Sequence, residues 1–213
     1  APAGPKERLH LVPAQRTAAG YYVLTRGFML SAFVGLLPYL LYRILAFTVI
    51  ELSGALAAFS AFAFLTARYS QVILARFGIQ VVMYATAVLL TGAFLVFALW
   101  ENPTASVVAM AIMGGASGAV RPVTIRSLSH ISSTEPGAPP MGRVVGAMER
   151  AFGLGNALVI FLGGILIVQT SFRTGMLVLA AVYVAGQGVL LASSRPRVAV
   201  TPPVPVEVGS RDA

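Results

Sequence analysis

Mostly apolar stretches of roughly the length that carries a helix across about 30 Å of hydrocarbon, about 20 residues, recur along the chain between short polar turns. The first runs from about Gly27 to Leu45, with Arg43 near its far end, and the second from about Leu52 to Leu74, past the short connection holding Glu51. Glu101-Asn102-Pro103 is a turn signal and closes the third, Ile79 to Trp100. The fourth begins near Ala105 and passes through MGGASGAVRPVTIRSLSHIS. The fifth occupies about Gly142 to Gln169 and the sixth Thr174 to Ala192. This pattern predicts an all-α membrane protein with six transmembrane helices. Residues 1–20 are expected to form a polar cytoplasmic leader, 21–192 the transmembrane domain, and the proline-rich 193–213 a disordered cytoplasmic tail.

Composition excludes a soluble domain: 57% of the residues are hydrophobic, 10% are charged, and the mean hydropathy is +0.84. A net charge of +8 raises the question of nucleic acid, but the basic residues stand singly between apolar runs and form no continuous basic face. Topology accounts for the charge better. With the N-terminus inside, Lys6, Arg8, Arg16, Arg26, Arg68, Arg76, Arg126, Arg143, Arg150, Arg195, Arg197 and Arg211 are all cytoplasmic, and only Arg43 and Arg173 fall outside. The positive-inside rule then puts both termini in the cytoplasm, and the plasma (cytoplasmic) membrane is the expected location. Cysteine is absent, which removes thiolate chemistry, and no cofactor or metal motif stands out. Ala1 is not an initiator methionine and the leader is too polar for a signal peptide, so a segment of a longer chain is expected.

In the fourth span, Gly115-Ala116-Ser117-Gly118 fits G-x-S-G, the setting of an intramembrane serine nucleophile. Such a serine needs a base within hydrogen-bond reach. The sixth span has no histidine, and His130 lies at the mouth of the fourth, so an enzyme is not expected. Gly114 and Gly118, four apart, instead predict a bare face for close helix packing, as do Gly142 with Gly146 and Gly54 with Ala58. Arg121 shares that face about 24 Å along the span. It either snorkels to the headgroups or lines a cavity, and an intramembrane arginine facing protein is a functional candidate. Pro122 beside it predicts a kink, since it has no N–H for the carbonyl of Gly118.

Other polar candidates are Glu149 with Arg150, and Asn156 on the same face as Glu149. An amide within a span bonds a neighbouring helix or reads a substrate. Tyr39 and Tyr42, near Pro38, suit either the outer interface or a cavity wall. Arg43 and Glu51 could pair across the outer mouth. The third and sixth spans, nearly without charge, suit a lipid-facing periphery.

Six spans with both termini inside, and a cytoplasmic turn after the second, resemble one half of a major facilitator superfamily transporter. That family's loop signature aligns with residues 71–80, where Arg76 and Gly78 match, Phe77 is typical of the variable place, and Gln71, Ala75 and Gln80 replace the glycine, the acid and the last basic residue. Gly142-Arg143-Val144-Val145-Gly146 followed by Phe152-Gly153-Leu154-Gly155 is similar to the approach to the family's eleventh helix. The resemblance implies half of a twelve-helix fold, helices seven to twelve, with the leader as the end of the central loop. It also implies transport of a small solute by alternating access around a site lined by the first, second, fourth and fifth spans. Arg121, Tyr39, Tyr42, Asn156 and Glu149 become the expected substrate-binding residues, and Pro122, Arg76 and Gly78 the gating or kink positions. The expected partners are a small, anionic substrate, the lipid bilayer, and a missing N-terminal half or a second copy. The rival expectation is a non-transporting membrane anchor or assembly domain.

Overall fold

The computed structural model describes residues 10–44, 46–100 and 102–193. The first nine residues of the leader, Glu101 and the tail from 194 lie outside the described residues. Helix α1 (Pro13–Ser31) continues through π-helical turns at Ala32–Leu36 and Leu40–Ile44, on either side of a short α-helical piece, Leu37–Tyr39. It is followed by α2 (Val49–Phe77), α3 (Ile79–Leu99), α4 (Pro103–Thr134), α5 (Met141–Gln169) and α6 (Phe172–Ser193). Among the described residues there is no strand.

Helices α2 to α6 are each long and apolar enough to cross a membrane, five where six were expected. The exception is α1. Its α-helical part starts at Pro13, well before Gly27 and inside the expected leader, in a stretch carrying Gln15, Arg16, Thr17 and Arg26. Proline suits a first helical position because its missing N–H has no intrahelical partner there. Of the polar residues that follow, Gln15 is fully buried and donates to Ser132 Oγ and the carbonyl of Pro139, both at 3.1 Å, whereas Arg16 is exposed. Farther on, the π turns bracket Pro38, which has no N–H to give to the preceding turn. The rod closes at Ala46, with φ 51°, and Phe47 donates to the carbonyl of Leu41 at 2.9 Å.

Local sequence explains the other ends. Thr48 and Glu51 form a reciprocal capping box at the start of α2. The carboxylate of Glu51 takes hydrogen bonds from the Thr48 amide (2.8 Å) and hydroxyl (2.9 Å), in place of the pairing expected with Arg43. Asn102 caps α4 by accepting from the amides of Thr104 and Ala105, with Pro103 in the first turn. Helix α4 runs unbroken through Pro122.

Side-chain contacts give the topology. Tyr22 meets Glu149 and Ser31 meets Asn156, so α1 and α5 run parallel. Gly114 faces Phe59 and Gly118 faces Ala63, so α2 and α4 run parallel as well. Gly20 meets Leu190 and Gly186 meets Leu24, so α1 and α6 are antiparallel, and the start of α1 lies at the same end of the bundle as the finish of α6. One apolar cluster, around Phe28, Leu37, Phe94, Met113 and Tyr183, fills one end. Another, around Tyr21, Leu128, Val144 and Met148, fills the other.

The glycines of α4 do what their spacing predicts. A Cβ at Gly114 would collide with the backbone of Phe59, and one at Gly118 with the backbone of Ala63 and Ala67, so α2 and α4 touch backbone to backbone. The other small-residue pairs do not pack this way: a Cβ at Gly54, Gly142 or Gly146 would meet nothing within 4 Å. Those glycines belong to the two least covered helices. Only 11% of the apolar window of α2 or of α5 is buried, against 39% for α3 and 33% for α6.

Candidate functional site

Helix α1 is the hub of polar contact, because one side chain after another along it reaches a different neighbour. The hydroxyl of Tyr21 pairs with Thr86 of α3. Thr25 accepts from Gln187 at 2.9 Å and from Tyr183 at 3.4 Å, both on α6. Ser31 donates to the side-chain oxygen of Asn156 at 2.8 Å. Each bond joins groups that have no water to turn to inside an apolar bundle, and each therefore fixes the rotation of one helix against another.

Tyr22 and Arg26, four apart, lie on one face of α1. The Tyr22 hydroxyl donates to Glu149 Oε1 at 2.8 Å and accepts from Arg26 at 2.6 Å, so a single phenol bridges a carboxylate and a guanidinium. The guanidinium also lies over two rings, 5.2 Å from the centre of Tyr22 and 5.3 Å from that of Phe152. Such placement attracts a cation to the ring quadrupole and lets Arg26 stay within the bundle half-buried. Arg121, on α4, interacts electrostatically with the same phenol. It is exposed, and among the described residues it has no hydrogen bond or ion pair. Eighteen residues separate it from Pro103, about 27 Å along the helix.

The candidates read from the sequence thus separate into groups. Glu149 is bonded to Tyr22, whereas Arg121 acts on that phenol only through its charge. Asn156 lies farther along α5, and its side chain is committed to Ser31 of α1. Tyr39 and Tyr42 are exposed on the continuation of α1, Tyr39 in its short α-helical piece and Tyr42 in the second π turn, with Tyr39 about 25 Å along the helix from Tyr22. Pro122 is half-buried next to Arg121. Arg76 is exposed, its guanidinium 5.6 Å from the ring of Phe77, and Gly78 makes the whole turn between α2 and α3. A pocket beside that turn is lined by Leu74, Phe77, Ile79, Gln80 and Arg126.

Tyr22 and Arg26 were not among the candidates, because residues ahead of Gly27 read as leader and membrane boundary. The Tyr22 to Arg26 spacing was the available signal. Gln187, with Tyr183 four residues before it, was equally visible as an amide inside an apolar span. If Asn156 serves packing, Asn156→Ala should lower unfolding stability by about 1 kcal/mol, the scale of interhelical bonds in membranes. Thermal unfolding of the full-length protein in detergent measures this, and no change would free Asn156 for another role.

No curated protein matches the chain. Residues 22–211 match the Major Facilitator Superfamily, a family of transporters rather than enzymes. That match takes in all six helices from Tyr22 onward, including the cluster at Tyr22, Arg26, Arg121 and Glu149. Together with an all-helical bundle containing five helices fit to span a membrane, it makes this chain an integral membrane protein that belongs to the Major Facilitator Superfamily.

Proposed function

We propose that the chain is the C-terminal six-helix half of a secondary transporter that carries a small anionic solute across the plasma membrane by alternating access. The observation that carries the reading is Arg121, an exposed guanidinium toward the cytoplasmic end of a membrane-length helix with no counter-charge bonded to it among the described residues. A cation so placed is costly unless water, protein or a ligand satisfies it, and a solute anion does so transiently. Helix α1 supplies the remaining span, with both termini cytoplasmic, an arrangement supported by the shared end of α1 and α6 and by the distribution of arginines. A second six-helix half, N-terminal or a second copy, would cover the exposed apolar faces of α2 and α5, where Phe62, Leu65, Leu158 and Phe161 stand open. The site lies between the halves, with Arg121 and Glu149 on this side of it.

Solute uptake by the full-length protein in proteoliposomes tests the role. A charge-assisted hydrogen bond contributes about 1.5–3 kcal/mol. Arg121→Ala should therefore lower uptake at subsaturating solute roughly tenfold to a hundredfold, and Arg121→Lys should retain part of it. Uptake equal to wild type in both variants would remove Arg121 from the site.

A further inference from the structure

The turn between α2 and α3, together with Arg126 of α4, borders a cavity of about 460 Å³. Its walls are of two kinds. Leu74, Phe77, Ile79 and Val81 are apolar, and Phe77 and Val81 are each 54% exposed. Gln80 and Arg126 supply the polar edge, and among the described residues no acid lines it. Arg126 is exposed and gives one N–H to Gln71 Oε1 at 3.3 Å. That is its one hydrogen bond among the described residues, so four of the five guanidinium N–H groups are left to give. A second guanidinium, that of Arg76, lies 5.6 Å from the centre of the Phe77 ring.

Depth in the membrane decides what meets these walls. Twenty-three residues separate Arg126 from Pro103, about 35 Å along α4, against about 30 Å of hydrocarbon. Arg126 therefore stands at headgroup level. Helix α3 turns back from there, and beyond Val81 its exposed side chains recur at Tyr84 and Val88, three and four residues apart on one face. That face descends about 10 Å from the cavity into the apolar layer.

We infer that this is a binding site for one anionic phospholipid, its phosphate held by Arg126 and an acyl chain laid along Val81, Tyr84 and Val88. The planar edge of a guanidinium matches two phosphate oxygens, and Arg76 adds positive field beside the Phe77 wall. A zwitterionic lipid is disfavoured, because its own cation would be brought up to these two. A free phosphate could make the same polar contacts, but it would leave Phe77 and Val81 bare, whereas a lipid covers them. Such a site requires only that this end of the bundle meet a membrane surface, whatever solute is carried.

Native mass spectrometry of the purified full-length protein in detergent, titrated with phosphatidylglycerol or with phosphatidylcholine, counts the bound lipid and gives its affinity. Wild type should retain one phosphatidylglycerol in preference to phosphatidylcholine. A basic side chain beside an anionic lipid contributes about 1 kcal/mol, or about fivefold in affinity. Arg126→Ala, which also removes the hydrogen bonds, should weaken that lipid at least about fivefold, and Arg76→Ala should weaken it less. Val81→Asp sets a negative charge against the phosphate and should cost at least as much as Arg126→Ala. Arg16→Ala removes an exposed arginine at the same end of the bundle but outside the cavity, and should bind as wild type does. Unfolding temperatures equal to wild type in phosphatidylcholine alone confirm that each variant is folded. Equal weakening by Arg126→Ala and Arg16→Ala would reduce the effect to diffuse surface charge and overturn the site, as would equal affinity for the two lipids. Glycerol phosphate, the headgroup without chains, is the third probe: if it displaces the lipid at matched concentration, the occupant is a free phosphate ester and the lipid assignment is overturned.

Discussion

Replacing Gly118 with leucine is expected to push α2 off α4 and to destabilise the protein by at least about 1–3 kcal/mol, the usual range for overpacking a tight contact. The case rests on what already occupies the space. A single added carbon would overlap the carbonyl of Ala63 and press on the backbone amide of Ala67, and neither can rotate away as a flexible side chain could. Gly114 faces the backbone of Phe59 in the same way, so the two helices would have to separate along several turns. Gly146→Leu is the matched control, since a Cβ there meets nothing within 4 Å. Thermal unfolding of the full-length protein in detergent should show a large drop for Gly118→Leu and little change for Gly146→Leu. Equal stability of Gly118→Leu and wild type would mean that the backbones do not approach so closely.

Gly78→Val should cost about as much, for a reason of conformation rather than space. Gly78 has φ 79° and ψ 161°, in a region open essentially to glycine alone, where other residues pay about 1–3 kcal/mol. The same residue ends α2, giving its N–H to the carbonyl of Leu74 at 3.0 Å, and starts α3, accepting from Val82 at 3.3 Å. No neighbouring residue can absorb the strain, because the turn has only this one position between two helices. A Cβ at Gly78 touches nothing within 4 Å, so any loss on substitution reports backbone strain directly. Gly92→Ala, inside α3 and equally open, provides the contrast: alanine favours a helix interior over glycine by about 1 kcal/mol. Unfolding curves that place Gly78→Val level with Gly92→Ala would contradict the positive φ.

Much of the architecture was legible before any coordinates. The ends of α3 and α5 fall within a residue of the apolar stretches 79–100 and 142–169, because clean apolar runs bounded by Gly78, Asn102-Pro103 and Pro140 leave few alternatives. The Gly114 and Gly118 face was also readable, since helical spacing alone brings both to one side. Gly142 and Gly146 have the same spacing and no neighbour, which shows that a bare face states what can approach and not what does.

The sequence by itself determined that this is a membrane-embedded helical protein and where most of its helices lie. Hydropathy sums along the chain, so it recognises segments that lipid accepts but is blind to a polar helix whose partners are other helices. That is why α1 starts at Pro13 instead of Gly27, and why Tyr22, Thr25 and Arg26 were read as a boundary. Only the tertiary structure decided which polar groups meet: Tyr22 with Glu149 across 127 positions, Thr25 with Gln187 across 162, and Arg121 left open beside them. Such pairings depend on the rotation and depth of each helix, which packing sets and which no local pattern records.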